Sequence, residues 1–385
     1  MHGFRLFTEG HLRKMYYFAF TICLAIITSC ASTFGSSGNV ANIDVKNIQT
    51  GNDFFDSVRI VKLQTNDSCL VSKVNGVRVN SKCIVINSDN KLYLFNQTGR
   101  FISCINHFGK GHQEYAAIND FRIFQDKVYI LSRDERKLMV YDMHDKFLSE
   151  HHFADAFNSF SIIDPSHIIL ASDNCNDTKK NFVCYDLATR KVAWSTDDFE
   201  KNEALYFVNR NTFINMNNPW VVTHPFDDAI YQVTPKGLHK ICSFLFNTEV
   251  QLPSDYKSMP FIDLNEKMMN KAVVTHINAY DSVGSNKYIV YPMFGTIGGY
   301  STYISKIDAA GNSSTLGFST VADKDFEYLP VGSFQGIYND EVIMLCHASD
   351  LLEYQKQQNK LKDNEKLNIQ QNDNPVLFFY RLRKF

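Results

Sequence analysis

Residues 91–102 read KLYLFNQTGRFI, which predicts a strand, a tight turn and a second strand. The same pattern returns as KLMVYDMHDKFL at 137–148, NFVCYDLATRKV at 181–192 and AIYQVTPKGL at 229–238. The copies carry aligned aromatic residues spaced 46, 44 and 46 residues apart: Phe95, Tyr141, Tyr185 and Tyr231. A period near 45 residues, with about four strands in each unit, is typical of a β-propeller.

Two less regular copies follow, at residues 303–312 and 376–382, so the count predicts an all-β, six-bladed β-propeller. A lone predicted strand at 57–63 precedes the first full copy. We expect it to complete the last blade beside residues 376–382, because ring closure removes two exposed sheet edges.

Two insertions interrupt the later repeats, at residues 253–271 and 348–374, and we expect each to form a short helix or loop. The second insertion is rich in Lys, Gln and Asn. Such a segment is either a solvated helix or loop, or an extension that binds a partner.

The N-terminus indicates the compartment. Arg13 and Lys14 precede an apolar run at 16–27, which is too short for a transmembrane helix of about 20 residues and is typical of a secretory signal peptide. The run ends in ITSC at 27–30, which resembles the bacterial lipobox and implies that Cys30 is lipidated. The alternatives are a plain signal peptide with a chance cysteine, or an N-terminal anchor helix. Met15 is a second candidate start.

These features divide the chain into a signal peptide at 1–29, a lipidated cysteine with a flexible tether at 30–53, and a propeller at 54–385. We therefore expect a protein exported from the cytoplasm and anchored to the bacterial cell envelope through lipid. The leaflet and the face of the envelope stay open.

The composition excludes several classes of protein. An apolar fraction of 44% argues against a polytopic membrane protein, and 39 Lys+Arg against 41 Asp+Glu gives no basic excess for binding nucleic acid. The 31 Phe and 19 Tyr beside only 9 Pro favour packed strands. We expect a monomer.

Seven cysteines remain after Cys23 and Cys30 are set aside, and no CxxC occurs, so neither zinc fingers nor thioredoxin-like motifs are supported. Most of the seven lie in apolar, strand-like contexts and are expected to be small buried hydrophobes. A bridge between Cys175 and Cys184 is the alternative for that pair.

A family resemblance rests on three segments: FGKGHQEY at 108–115, INDF at 118–121 and FDDAIYQVTPKG at 226–237, the last followed by Leu252-Pro253. The first is similar to the Gly-x-Gly-x-x-Glu-aromatic segment between blades of six-bladed bacterial propeller lipoproteins, with His112 at the usual proline position. Over residues 58–385 the chain resembles these lipoproteins, which are distant relatives of NHL-repeat and TolB-like propellers. The resemblance implies the fold and not the ligand.

Five histidines fall near loops or inner strands of successive blades: His112, His152, His224, His276 and His347. If several pointed into one central channel, they could bind a divalent metal, with carboxylates such as Glu114, Asp120 or Asp227 completing the site. Surface and packing roles are the alternative. The motifs HExxH and GxSxG and an EF-hand loop are absent from the sequence, so no catalytic residue is assigned and no cofactor is expected.

Three aromatic residues, Trp220, Phe294 and Tyr300, lie beside predicted turns and could form a stacking platform for a sugar or peptide. Packing between blades is the alternative role. Taken together, the sequence favours a non-enzymatic binding or scaffold module for an envelope protein, peptide or glycan. A metal-dependent hydrolase or lyase of the six-bladed propeller type is the alternative.

Overall fold

The computed structural model describes residues 39–47, 49, 51–173, 176–198, 212–224, 227–247, 250, 259–260, 262–263, 266, 272–296, 299–318, 332–357 and 368–384. The predicted signal peptide and Cys30 lie outside these ranges. A compact unit spans Val40–Phe385. Within the described ranges, no helix has the length and apolar character needed to cross a membrane.

Six antiparallel sheets form the ring, and the first three are built from consecutive strands. Blade 1 contains β3 (Val74–Val79), β4 (Cys83–Ser88), β5 (Lys91–Asn96) and β6 (Phe101–Ile105). Blade 2 contains β7 (Asp120–Phe124), β8 (Lys127–Ser132), β9 (Lys137–Asp142) and β10 (Phe147–His152). Blade 3 contains β11 (Ser159–Asp164), β12 (His167–Ala171), β13 (Lys180–Asp186) and β14 (Lys191–Asp198).

The other three blades each have an additional feature. Blade 4 contains β15 (Val221–Val222), β16 (Ala229–Thr234), β17 (Gly237–Phe246) and, at its outer edge, β1 (Asn39–Ile43). In blade 5, β18 (Val273–Val274) and β19 (Ala279–Val283) both pair with β20 (Asn286–Thr296), followed by β21 (Gly299–Ile307) and β22 (Ser313–Gly317). Blade 6 contains β23 (Ser333–Tyr338), β24 (Glu341–Cys346), β25 (Val376–Leu382) and β2 (Phe55–Lys62).

The repeats in the sequence correspond to equivalent strands. In five blades, the aligned aromatic residue or the later copy falls on the third strand counted outward from the axis. In blade 4, Tyr231 lies on β16, directly after β15, and β15 has an isolated bridge to Phe213 on its other side. The middle strands are buried on both faces because neighbouring blades cover them, as in β4, where all six residues are buried. The aromatic excess has the expected role, since the twelve largest fully buried side chains are all Tyr or Phe. The six-bladed propeller is therefore confirmed.

Ring closure is also confirmed. Strand β2 pairs antiparallel with β25, in a register that runs from Phe55 opposite Leu382 to Lys62 opposite Val376. Strand β2 is thus the outer strand of the last blade, and its pairing with β25 joins the two ends of the ring.

The segment 39–49 differs from the expected flexible tether at 30–53. Strand β1 joins blade 4, and Ile43 is buried. After residue 43 the chain reaches blade 5, where Thr315 of β22 exchanges backbone hydrogen bonds of 2.9 Å with Asn47 and Gln49. The folded domain therefore begins before residue 54, because a short N-terminal segment pairs with the outer edges of two blades.

Two helices accompany the strands. Helix α1 (Gly51–Phe54) leads into β2, and helix α2 (Ala348–Gln357) lies in the second predicted insertion. Leu351 of α2 is buried in the core cluster shared by blades 5 and 6, so the start of this insertion is a packed helix. Residues 358–367 and most of the first insertion lie outside the described residues.

Candidate functional site

The inner strands of the blades surround a cavity of about 60 Å³ on the propeller axis. Every blade contributes to it. Its polar lining residues are Arg78 of blade 1, Arg122 of blade 2, Ser161 of blade 3, Asn215 of blade 4 and Asn278 of blade 5, and Gly336 of blade 6 adds bare backbone. Side chains that are far apart in the sequence therefore meet at this cavity.

The register of the sheets puts four of these positions, together with Asp281 of blade 5, at one level of the axis. Each of five inner-strand residues pairs with the third residue of the next strand in its blade: Arg78 with Val85, Arg122 with Tyr129, Ser161 with Ile169, Asp281 with Tyr288, and Gly336 with Ile343. Because equivalent positions of equivalent strands lie at the same height in a propeller, these residues and Asn215 form an axial ring.

Two arginines of the axial ring share one carboxylate. Asp120 Oδ1 lies 3.3 Å from Arg78 Nη2, and Asp120 Oδ2 lies 3.0 Å from Arg122 Nη2. Asp120 also accepts hydrogen bonds from the backbone N–H groups of Phe121 and Phe160, at 2.9 and 3.1 Å. Arg122 Nε donates to the Phe160 carbonyl at 2.7 Å. Two positive charges thus face one negative charge.

Burial shapes the electrostatics of this cluster. It lowers the pKa of Arg122 to about 10, with the nearby Arg78 charge acting in the same direction and Asp120 opposing it. Arg122 is still cationic at neutral pH. Arg78 Nε and Arg122 Nη2 are buried without a hydrogen-bond partner in the described structure, since the close approach of Nη2 to Asp120 is an ion pair without hydrogen-bond alignment.

The blade 5 side of the axial ring carries a carboxylate, whereas blades 1 and 2 carry the two arginines. Asp281 of blade 5 stands across the axis from blade 2, and burial raises the pKa of its carboxyl to about 6, with Asp340 adding repulsion. Asn215 Nδ2 donates to the Tyr280 carbonyl at 2.9 Å and lies 3.5 Å from Asp281 Oδ1. Asp281 Oδ2 is buried without a hydrogen-bond partner among the described residues.

Met216 and Gly336 close part of the cavity. Gly336 has a φ of 148°, which favours glycine, and a Cβ added there would collide with Met216 Cε. The thioether side chain therefore lies directly against the glycine backbone. Because methionine is flexible, this contact can rearrange with little cost when a ligand enters.

The predicted histidine cluster is not formed in the channel, since none of the candidate histidines is among the described residues that line the cavity. His112, in the loop between blades 1 and 2, and His152, on the outer strand of blade 2, both lie beside Glu150. The side chains of His112 and His152 are 74% and 65% exposed, so they belong to the surface. Glu114 accepts the Gly111 N–H at 2.7 Å and shapes the loop between blades 1 and 2.

The remaining histidines are separate. His224 pairs with Asp197 at 3.3 Å, between blades 3 and 4. His276 is buried in blade 5 beside Thr275, and burial lowers its pKa to about 4. His347 is exposed and directly precedes α2. Among the described residues, no group of three or more His, Cys, Asp or Glu side chains could hold a metal ion.

The candidate stacking aromatics have no common platform in the described structure. Trp220 is partly buried against the core cluster between blades 3 and 4, which matches the packing alternative. Phe294 lies on β20 and Tyr300 on β21, and their side chains lie outside the described residues.

The cysteines mostly match the packing expectation. Five described cysteines are buried: Cys69, Cys83, Cys184, Cys242 and Cys346. Cys184 is a free thiol, and Cys175, its predicted partner, lies outside the described residues.

Comparison with known protein families identifies the family of this chain. Residues 40–381 match the model of a family described as Domain of unknown function (DUF4934). The chain belongs to the DUF4934 family. No curated protein matches its sequence.

Two solved structures share the architecture of this DUF4934 chain. One, from Bacteroides fragilis, is named as a putative exported protein and is 19% identical, with a TM-score of 0.68 over 90% of this chain and 100% of its own. The other, a member of the DUF4221 family from Bacteroides vulgatus, is 11% identical, with a TM-score of 0.50 over 87% of this chain and 99% of its own. At these identities the likeness supports the fold alone.

The sequence contained a signal for the axial ring that the histidine analysis missed. Arg78 and Arg122 are 44 residues apart, which is one repeat, and each interrupts an apolar inner strand as VRV or FRI. Asp120 was considered only as a metal ligand. A charged residue that recurs at the repeat period on an inner strand indicates the channel more directly than a histidine near a loop.

Proposed function

We propose that this DUF4934 chain is an exported, lipid-anchored propeller of the bacterial cell envelope that acts as a non-enzymatic binding or scaffold module. Its ligand is a protein, peptide or glycan that places a small group in the axial channel. The observation that carries this proposal is the axial ring, in which two largely buried arginines that share one carboxylate line a small polar cavity.

Export and anchoring are supported by the N-terminal sequence and by the name of the Bacteroides fragilis neighbour. If Cys30 carries lipid, eight residues separate it from β1, which starts at Asn39. Fully extended, this segment spans at most about 30 Å. The propeller would therefore work close to the membrane surface, and its ligand would be a component of the envelope. The NHL-like relationship stays a prediction.

The anchor has a direct test. We expect metabolic labelling with a fatty acid to mark the wild type, and Cys30→Ser to lose both the label and the membrane association. Cys23→Ser is the matched control, because it also removes a cysteine from the N-terminal region and should leave labelling unchanged. Equal labelling of the Cys30→Ser variant would contradict the lipid anchor.

The binding role is tested by native mass spectrometry of the protein isolated from its own envelope under mild conditions. We expect a fraction with an added mass that is lost on unfolding and reduced in the Arg78→Met variant. A wild-type spectrum with the bare chain mass alone, together with no change in stability on addition of envelope extract, would contradict a binding module.

A further inference from the structure

We propose that Arg78 and Arg122 form a binding site for a carboxylate group within the axial channel. The group is either that of a small free acid or the C-terminal carboxylate of a peptide that enters the channel. This inference rests on the proposed function, since it names the chemistry of the ligand that the axial ring would bind.

The first support is that both guanidinium groups line the cavity while largely buried. Arg78 and Arg122 keep 18% and 14% of their side-chain surface accessible, and both lie beside the carboxylate of Asp120. Each guanidinium has five N–H donors, more than Asp120 and the carbonyls of Val77 and Phe160 accept. Burying a cation with spare donors is costly, and an acceptor in the cavity would supply further hydrogen bonds.

The second support is the balance of charge and shape. Asp120 neutralises one of the two guanidinium charges, which leaves one positive charge on this side of the channel. A carboxylate carries one negative charge and is planar, and the guanidinium fork matches its two oxygens. Phosphate at neutral pH would bring more charge than this side can neutralise, with Asp281 already on the opposite side.

The third support is size. A cavity of about 60 Å³ has room for a carboxylate head group, since a water molecule takes roughly 30 Å³ in the liquid. The rest of a larger ligand would have to lie along the channel, beyond the contact between Met216 and Gly336.

A second pair of arginines shows that sharing a carboxylate is not in itself a site. Arg59 and Arg381 flank Glu341 in blade 6, at 3.1 and 3.3 Å, and Arg59 lies over the Phe379 ring. These two side chains are 40% and 50% exposed, so water solvates them. In the channel the corresponding exposures are 18% for Arg78 and 14% for Arg122. The two channel arginines therefore differ from Arg59 and Arg381 in their burial. Because water solvates the channel arginines less, a bound anion would stabilise their charges more.

The experiment is a calorimetric titration of the purified propeller with acetate, acetamide and inorganic phosphate at constant ionic strength. We expect acetate to bind with a dissociation constant on the order of 1 mM, as its four heavy atoms allow. Acetamide, which has the same shape without the charge, should bind at least about tenfold more weakly. Tighter binding of phosphate than of acetate, or no acetate binding, would overturn the inference.

Variants locate the site. Arg78→Met should weaken acetate binding at least about tenfold, and Arg78→Lys should be intermediate because it retains the charge and loses the fork. Arg59→Met is the matched control, since it removes an arginine that also pairs with a carboxylate and lies over a phenyl ring. It should leave acetate binding unchanged. If Arg78→Met does not fold, Arg78→Lys and the wild-type comparison of acetate with acetamide still decide the question.

Triglycine with a free or an amidated C-terminus separates the two sources of the carboxylate. Tighter binding of the free peptide than of acetate, with no binding of the amide, supports a peptide end. Equal binding of acetate and free triglycine supports a small acid. If mass spectrometry finds a bound ligand while acetate and free triglycine both fail to bind, only this inference is wrong. A bare chain mass with no response to envelope extract would instead contradict the proposed function.

Discussion

Replacing Asp281 with Asn should stabilise the propeller at high pH and leave its stability unchanged at low pH. Asp281 lies in the axial ring, with Oδ2 buried and unpaired among the described residues. Burial, helped by repulsion from Asp340, raises the pKa of its carboxyl from 3.8 to about 6. The folded protein therefore disfavours the charged form that predominates at neutral pH.

The size of the stability change follows from the linkage between proton binding and folding. Between about pH 4 and pH 6 the folded chain holds a proton on Asp281 that the unfolded chain has released, so stability falls as pH rises through this window. Above about pH 6 the loss is complete, and a shift of about two units corresponds to roughly 3 kcal/mol. Because asparagine is neutral at every pH, Asp281→Asn should recover up to that amount at about pH 8 and nothing below about pH 4.

The assay is guanidinium unfolding of the wild type and the variant at several pH values across this window. Asp308→Asn is the control, because Asp308 lies in an exposed turn and its pKa is lowered by hydrogen bonds from Asn312. The control should be slightly less stable than the wild type at neutral pH and equal to it in strong acid. A stability difference between the wild type and Asp281→Asn that is constant with pH would contradict a raised pKa of Asp281 in the folded protein.

Three further predictions concern the ring and its cysteines. Phe55→Ala, in the closing strand and 5.1 Å from the Tyr380 ring, should cost about 3–5 kcal/mol in chemical unfolding, whereas Phe108→Ala at a 63% exposed position should cost less than about 0.5 kcal/mol. Equal effects would contradict closure through β2. A soluble form starting at residue 48 should melt at a lower temperature than one starting at 39, and identical melting would show that β1 adds no stability. Because burial raises the pKa of Cys83 to about 12, the native protein should react with a thiol reagent much more slowly than the unfolded chain, and comparable rates would contradict burial of the thiols.

The architecture could be predicted from the sequence because it depends on a local pattern that repeats. Tyr141 and Tyr185 lie on equivalent strands of successive blades, and apolar alternation with a turn at a fixed distance identifies each copy. The closing strand could also be predicted, because one predicted strand lies before the first of the six repeat copies. Segment 39–47 was harder to assign, because NVANI is short and polar residues surround it; tertiary pairing with blade 4 makes it a strand.

The axial ring depends on information that a single segment does not contain. Asp281 and Gly336 occupy the same level as Arg122, but insertions between blades and an irregularity in β23 change the spacing along the chain, so the later members do not recur at 44 residues. His224 and His276 had the right residue type and blade order, but their positions after β15 and β18 place them away from the channel lining. Residue type suggested a metal, whereas the register brings together the two arginines on which we base the proposal of an anion.

The most direct test of a carboxylate site in the axial ring is a pair of crystal structures of the propeller, one free of carboxylate ions and one soaked with sodium acetate, compared in a difference map. Acetate does not react with thiols, imidazoles or thioethers, so new density reports binding alone. We predict a planar feature in the channel that bridges the guanidinium groups of Arg78 and Arg122, and no such feature beside Arg59 and Arg381. New density confined to the surface, with unchanged water between Arg78 and Arg122, would contradict a carboxylate site in the channel.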